Sequence, residues 1–524
     1  MNLKKMVIWG TGNVCSHILN QKLLTQVDFF IDNDKKKINT EMHDRKIIHP
    51  SQIVDWKSYY IIVAIDNYTS IKEQLMKLDM QEERDFIWYR DWLFPSEIEQ
   101  ILSDAERFFV EDWKIADVGK KLIFSDFLSF DKGVCSLINQ WNKQEGNLVL
   151  FSEAVWVGEE ADEKVNIPVI KLPMLLSRNQ YLKGKIEETI HKKVIEKIVK
   201  RVQEKGYLQE AAENLRMGYS DMAEGYEYIV CYYAERIVRR IVECLQPSLV
   251  IVWNAFYAFH LVIRNICKEL GIPIKYMEFG NIPGTIILEE IGQMGESYPA
   301  RYPQKFMEIS VSDEDYEKAE CWIENLRIQK LNRNVQPDND LLVTVRKKLK
   351  QGRPVIFYAG QNDNASGMQP YTENTRKFHS PVFKSSDEAA IYLAQICEKN
   401  DWNYIYKPHP MMMKYCNLAA LPSNTIVVDY VNINDLIDMS DVVVTILSTV
   451  SYIALIREKP VVMLGYTQLK GKGCTYEAFR NEEVERELLL ALKNCLTGDM
   501  KIKFINHVVQ MGKYYSDIIV EENK

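Results

Sequence analysis

The sequence predicts an α/β fold built from parallel sheets and divided into three units. Two observations carry this. Short apolar, β-branched runs alternate with amphipathic stretches along nearly the whole chain. Glycines, acids or small polar residues stand at the ends of those runs, where strands of a parallel sheet turn into helices. A chain of 524 residues is also too long for one hydrophobic core, which favours two to four domains.

The first unit spans residues 1–95. "KKMVIWGTGNVCSHIL" reads as strand, glycine turn and helix, "VDFFIDND" as a strand with an acidic end, and "YYIIVAIDN" as a buried strand before the helix pattern "YTSIKEQLMKL". This is a small Rossmann-like domain. Residues 96–119 are polar and read as a linker. A second alternation occupies 120–311: "KKLIFSDFLSFDKG", "NLVLFSEAVWVG", a long helical stretch near 181–246, "PSLVIVWNAF" and "IPIKYMEFG". A charged helical connection covers 312–350. The third alternation, 351–500, runs through "RPVIFYAGQ", a helix near 386–399, "WNYIYKPHP", "NTIVVDY", "DVVVTILST" and "KPVVMLGY". Residues 501–524 read as a C-terminal helix.

Composition narrows the function. With 47% apolar and 26% charged residues the chain reads as globular, and a net charge of −8 argues against nucleic acid as a partner. Ten cysteines without a CxxC pair fit a reducing compartment and no zinc site. The opening residues lead straight into a strand pattern, and no apolar run approaches bilayer length, so the expected location is cytoplasmic.

Six constellations carry chemistry. Gly10-Thr11-Gly12-Asn13-Val14-Cys15 follows a strand and resembles GxGxxG, with Cys15 in the third glycine place. Such a turn brings backbone N–H groups to a phosphate, and Asp32 and Asp34 stand about where a ribose-binding acid would. The plain alternative is a tight turn that binds nothing. Lys407-Pro408-His409-Pro410 is the second. Two prolines restrict the backbone around His409 at a strand end, where its imidazole can donate to a phosphate leaving group and Lys407 adds charge. Leu447-Ser448-Thr449-Val450-Ser451 is the third, a hydroxyl cluster at a helix start that offers donors to an anion, or a simple N-cap. In "MEFGNIPGTIILEEIG", Glu278 ends a strand and is a candidate general base toward an acceptor hydroxyl; a solvated glutamate is the alternative. Gly360-Gln361-Asn362-Asp363 and the loop "GYTQLKGKGCTYE" also follow strands. Asp126 and Asp131 are reserve bases. No metal pair is evident, so the expectation is no metal and no resident cofactor.

Together these segments, over about residues 247–480, resemble the bacterial capsule polysaccharide biosynthesis family, which includes Kdo transferases. The resemblance implies a two-domain glycosyltransferase type B (GT-B) fold and a cytidine-nucleotide sugar as co-substrate. It places the donor's phosphate and cytidine on His409, Pro410, Ser448, Thr449 and Ser451, and matches Glu278 and Gly280 to an acid-x-glycine element. The family's acidic residues after Gln361 are only partly present, as Asp363. The N-terminal unit lies outside the family core and resembles nucleotide-binding modules of other surface-polysaccharide proteins. The implied partners are a nucleotide-sugar donor and a glycan or lipid-linked acceptor. The basic stretch 191–205 is a candidate for peripheral association with the inner membrane face, against the plainer reading of a helix packed on its domain. Transfer of an alditol phosphate from a CDP-alditol, a non-catalytic sugar-nucleotide sensor and an oxidoreductase are the rival readings.

Overall fold

A computed structural model describes residues 4–19, 21–65, 67–82, 84–89, 121–125, 132–145, 148–152, 167, 169–171, 199–218, 225–256, 258–330, 337, 341–413 and 416–515. The chain divides into two compact units, Met1–Ser248 and Leu249–Lys524.

The first unit opens with the predicted small α/β domain. Its strands are β1 (Lys5–Trp9), β2 (Val27–Ile31), β3 (Glu41–Met42), β4 (Arg45–Ile48), β5 (Tyr59–Val63) and β6 (Phe86–Trp88), in the order β3-β4-β2-β1-β5-β6. All pairings are parallel except the β3–β4 hairpin, which the sequence reading did not anticipate. Its strands are short and carry charge rather than an apolar run. Farther along lie three parallel strands, β7 (Lys121–Ser125), β8 (Leu148–Ser152) and β9 (Val169–Lys171), and helices Gly206–Gly218 and Tyr226–Leu245.

The second unit begins with β10 (Leu249–Trp253), parallel to β11 (Ile274–Phe279), which pairs antiparallel with β12 (Ile286–Glu289). It continues into a wholly parallel sheet: β13 (Val355–Ala359), β14 (Asn403–Lys407), β15 (Thr425–Val427), β16 (Val442–Thr445), β17 (Val461–Met463) and β18 (Tyr476–Glu477). Their order, β15-β14-β13-β16-β17-β18, is that of a doubly wound Rossmann-like sheet. β18 lies inside the glycine- and lysine-rich stretch that reads as loop.

The apolar runs are continuous because both faces of this sheet are covered. Phe357, Ile405 and Val443 face one layer, with Leu455 of helix Val450–Ile456 and Phe504 and Val508 of helix Gly498–Tyr514. Ile356, Tyr358, Tyr404 and Val444 face the other, with Leu393 of helix Ser386–Lys399 and Leu488 of helix Asn481–Asn494.

The boundary between the two units falls at Ser248. Side-chain bonds of long sequence separation hold the second unit together. Tyr515 donates to Glu289 Oε2 at 2.8 Å, Lys472 Nζ to the Pro299 carbonyl at 2.6 Å, and Gln510 Nε2 to the Met307 carbonyl at 3.0 Å. These tie 249–311 to the C-terminal sheet and helix. Phe357→Ala should open a cavity at the centre of this sheet and cost about 3–5 kcal/mol; a lower urea midpoint for loss of the C-terminal sheet, with the N-terminal domain's transition unmoved, is the expected measurement.

Candidate active site

In a doubly wound sheet ligands bind outside the carboxyl ends of the strands where the order reverses. Here that point lies between β13 and β16. The loops leaving these strands begin with Gly360-Gln361 and Leu447-Ser448-Thr449, two of the predicted constellations. Gln361 joins them: its Oε1 accepts the Leu447 N–H at 2.8 Å, while its Nε2 donates to Ser366 Oγ at 3.1 Å and contacts Met368 Sδ. With 4% exposure, this side chain braces the two loops from inside. Gly360 donates its N–H to the Lys407 carbonyl at 2.9 Å, and a Cβ there would stand 3.0 Å from that oxygen and 3.2 Å from Pro408 Cα. Glycine lets the loop after β13 run tightly beside the histidine segment.

Lys407 is the last residue of β14, one strand from the reversal. Its ammonium donates to the Asp429 carbonyl, and burial lowers its pKa. It therefore holds the ends of β14 and β15 together, and any charge it lends to a phosphate comes from that fixed place. Pro408 is buried, His409 half-buried and Pro410 exposed. The Met411 N–H donates to His409 Nδ1 at 3.2 Å, and the Met412 N–H to the His409 carbonyl at 2.8 Å. A neutral imidazole that accepts at Nδ1 carries its proton on Nε2, so local backbone geometry assigns the donor atom.

The hydroxyl cluster divides. Ser448 and Thr449 are partly exposed ahead of helix Val450–Ile456; Ser448 Oγ accepts the Val450 N–H at 3.3 Å. Ser451 is fully buried and donates its hydroxyl to the Ser448 carbonyl at 2.9 Å. Its hydroxyl shapes the turn.

Asp363 is also buried. Its Oδ2 accepts the Ser386 N–H at 2.9 Å, at the start of helix Ser386–Lys399, yet burial outweighs this bond and raises its pKa to about 7.

Glu278 is buried near the end of β11, and its Oε2 accepts Gln293 Nε2 at 3.0 Å. The solvated-loop reading is excluded. Gly280 is required beside it: its N–H donates to the Thr285 carbonyl at 2.6 Å, and a Cβ would collide with Thr285 Oγ1 at 1.8 Å. The preceding segment docks on the loop after β13. Asn254 Nδ2 donates to the Ala365 carbonyl at 3.0 Å, and Phe256 fills the space over Gly367, whose Cβ would lie 2.7 Å from the ring. A second tie is ionic. Buried Glu296 accepts Arg264 Nη2 at 2.6 Å and Asn374 Nδ2 at 3.0 Å, and lies 3.9 Å from His379 Nε2.

The sequence reading missed Asn254, Phe256, Gln293, Glu296 and His379. "WNAF", an asparagine directly after an apolar strand, was the one local signal; Asn254 has φ +52°, a left-handed backbone that asparagine tolerates better than most residues. The others are polar residues whose burial is a tertiary fact.

The N-terminal glycine turn is accounted for by packing. Gly10 has φ +108°, and a Cβ would meet Ile65 Cγ2 at 2.5 Å and the Ala64 carbonyl oxygen at 2.7 Å. Asp32 Oδ2 accepts the Thr11 N–H at 3.1 Å and Lys37 Nζ at 3.3 Å, and Oδ1 accepts the Asp34 N–H at 2.9 Å. Burial pushes its pKa up, but these donors win and hold it below the usual range. The carboxylate is folded onto the turn. Gly12 precedes a helix of only six residues, Asn13–Ile18, and Cys15 is buried with its thiol pKa raised to about 12.

Asp126 and Asp131 lie outside the described residues, as does 191–198 of the basic stretch. In its described end Val202 is buried and Lys205 donates to Glu235 at 2.8 Å. Among the described residues no helix is long and apolar enough to cross a membrane.

Residues 365–492, which carry both constellations from His409 to Ser451, match the family model described as capsule polysaccharide biosynthesis protein. Over this segment the chain is similar to capsule polysaccharide biosynthesis proteins. Residues 2–86 match a second model, described as C2185-like, N-terminal. The capsule biosynthesis match begins in the loop that receives Asn254 and Phe256 and runs through most of helix Asn481–Asn494. No curated protein matches the chain. Among solved structures it is similar to Thermosulfurimonas dismutans KpsC, beta Kdo 2,7 transferase, at 19% identity over 53% of this chain and 80% of that chain, with a TM-score of 0.32. It is also similar to the beta Kdo 2,4 transferase of the same KpsC, at 17% identity over 50% and 79%, TM-score 0.36. A putative UDP-N-acetylglucosamine 2-epimerase from Listeria monocytogenes aligns at 12% identity over 74% and 91%, TM-score 0.32.

Asp363 gives the second unit a pH signature. Its folded pKa of about 7 lies above the ordinary aspartate value, so the native state holds this proton more tightly than the unfolded chain. Its contribution to stability is greatest at acid pH and is lost as pH rises through about 7. Asp363→Asn keeps an acceptor for Ser386 and removes the titration. The fall in melting temperature from pH 5 to pH 8 should be smaller in the variant than in the parent, with the variant gaining at pH 8.

Proposed function

We propose that this chain is a GT-B-type glycosyltransferase of bacterial capsule or surface polysaccharide biosynthesis. It would transfer a sugar, Kdo or a relative, from a cytidine-nucleotide donor to a hydroxyl of a glycan or glycolipid acceptor. The observation that carries the reading is His409, held at the end of β14 beside the reversal point with its donor proton assigned to Nε2. The capsule biosynthesis match across the same loops supports it.

In this reading the donor's phosphate lies across the loops that start at Gly360 and Leu447. The bond between the anomeric carbon and the phosphate oxygen breaks, and a bond from that carbon to the acceptor oxygen forms. His409 Nε2–H donates to the departing phosphate, and backbone and hydroxyl groups of Ser448 and Thr449 share its charge. Glu278 accepts the proton of the acceptor hydroxyl. The nucleoside monophosphate leaves. These donors are fixed before the reaction, which is how preorganised groups stabilise charge that develops only at the transition state. A cytosolic site facing the inner membrane leaflet would suit a lipid-linked acceptor.

Removing one such donor typically lowers kcat by about 10²–10³. His409→Ala should therefore lose turnover on that scale while keeping its melting temperature; a variant with full kcat refutes the assignment. Ligands that bind only the native state raise its melting temperature. CMP or CDP should do so and UDP and NAD should not. Products from CMP-Kdo, CDP-glycerol and CDP-ribitol distinguish sugar transfer from alditol-phosphate transfer.

A further inference from the structure

We infer that Gln293 is a positioning residue for Glu278, and that it links Glu278 to the loop after β13 through Asn254–Phe256. The inference rests on the general-base reading of Glu278 given above.

Gln293 is 0% exposed, and both ends of its amide are committed. Nε2 donates to Glu278 Oε2 at 3.0 Å and to the Met277 carbonyl at 3.3 Å, while Oε1 accepts the Ala255 N–H at 2.6 Å. A carboxylate only accepts when ionised, and a backbone N–H only donates. The two neighbours therefore demand opposite ends of the amide, and a single orientation satisfies both. The NH₂ end is held toward Glu278, where it fixes the direction of the carboxylate.

Ala255 does not stand alone. The preceding Asn254 keeps its left-handed backbone while its side chain bridges two elements. Oδ1 accepts the Phe256 N–H at 3.1 Å, and Nδ2 donates to the Ala365 carbonyl at 3.0 Å. Ala365 in turn donates its N–H to Asn362 Oδ1 at 3.2 Å, one residue from Gln361. Phe256 closes the contact over Gly367, which has φ +75° and no room for a side chain. A continuous set of hydrogen bonds and one aromatic contact thus runs from the loop at the sheet reversal to the carboxylate. A displacement of that loop reaches Glu278 through Asn254, Ala255 and Gln293, so the base is aimed only when the loop is seated.

Glutamate at position 293 keeps the acceptor for Ala255 but sets a second carboxylate against Glu278, and two carboxylates at hydrogen-bond distance share one proton. Methionine keeps the length and removes the donor. The test measures CMP release from CMP-Kdo generated in situ, in the full chain, for Gln293→Glu, Gln293→Met, Glu278→Gln and the double variant Glu278→Gln/Gln293→Glu. Both single changes at 293 should lower kcat at least tenfold and leave the donor KM within twofold. The double variant should be no slower than Glu278→Gln alone, because residues acting as a unit are not additive. If Gln293→Glu does not fold, Gln293→Met decides. Unchanged kcat in the 293 variants, or a loss that multiplies with that of Glu278→Gln, overturns the positioning role. Wild-type turnover in Glu278→Gln overturns the general-base reading itself, whatever the 293 variants do.

Discussion

The hydrogen bond from the Leu447 N–H to Gln361 Oε1 is the constraint on which the candidate site depends. A parallel sheet whose strand order reverses leaves a gap beyond its strand ends, because the flanking chains turn to opposite faces. Gln361 spans that gap from inside. With the loops after β13 and β16 joined beneath the surface, Ser448 and Thr449 stay at the rim, and Gly360 can run against Lys407 and bring the histidine segment alongside.

The second unit is held by buried polar groups whose charge states follow their partners. Burial raises the pKa of both Glu289 and Glu296, but only Glu296 has a cation at hydrogen-bond distance, Arg264, and it ends below its usual range. Glu289 has tyrosine hydroxyls and backbone N–H groups, and burial keeps it above. Desolvation likewise drives His379 down to about 4, so this imidazole is neutral beside Glu296. A buried bond of this kind is costly to break and geometrically exacting. It suits a unit in which residues after β10 and β12 must keep register with loops of a sheet 78 to 111 residues later.

The element types were legible because parallel strands covered on both faces leave continuous apolar runs, as in "RPVIFYAGQ" and "DVVVTILST". The β3–β4 hairpin and β18 were not, since they are short and carry charge or glycine instead of such a run. Within the site, His409 was legible from its flanking prolines, whose backbone restriction is a property of the sequence. Ser448, Thr449 and Ser451 looked equivalent there. Helix geometry separates them, turning Ser451 inward and leaving the first two at the rim.

Sequence alone determined the local things: α/β units, the glycine turn, the stiff histidine segment, and an acid at the end of a strand. Each follows from backbone restriction or hydrophobic periodicity over a few residues. Tertiary structure decided which of these meet. It set Gln361 against Leu447 and Gln293 against Glu278, seated Asn254 and Phe256 on the loop after β13, and folded Asp32 onto its own turn. The reason is physical: the state and direction of a buried polar group depend on partners far away in the chain, and no local pattern encodes them.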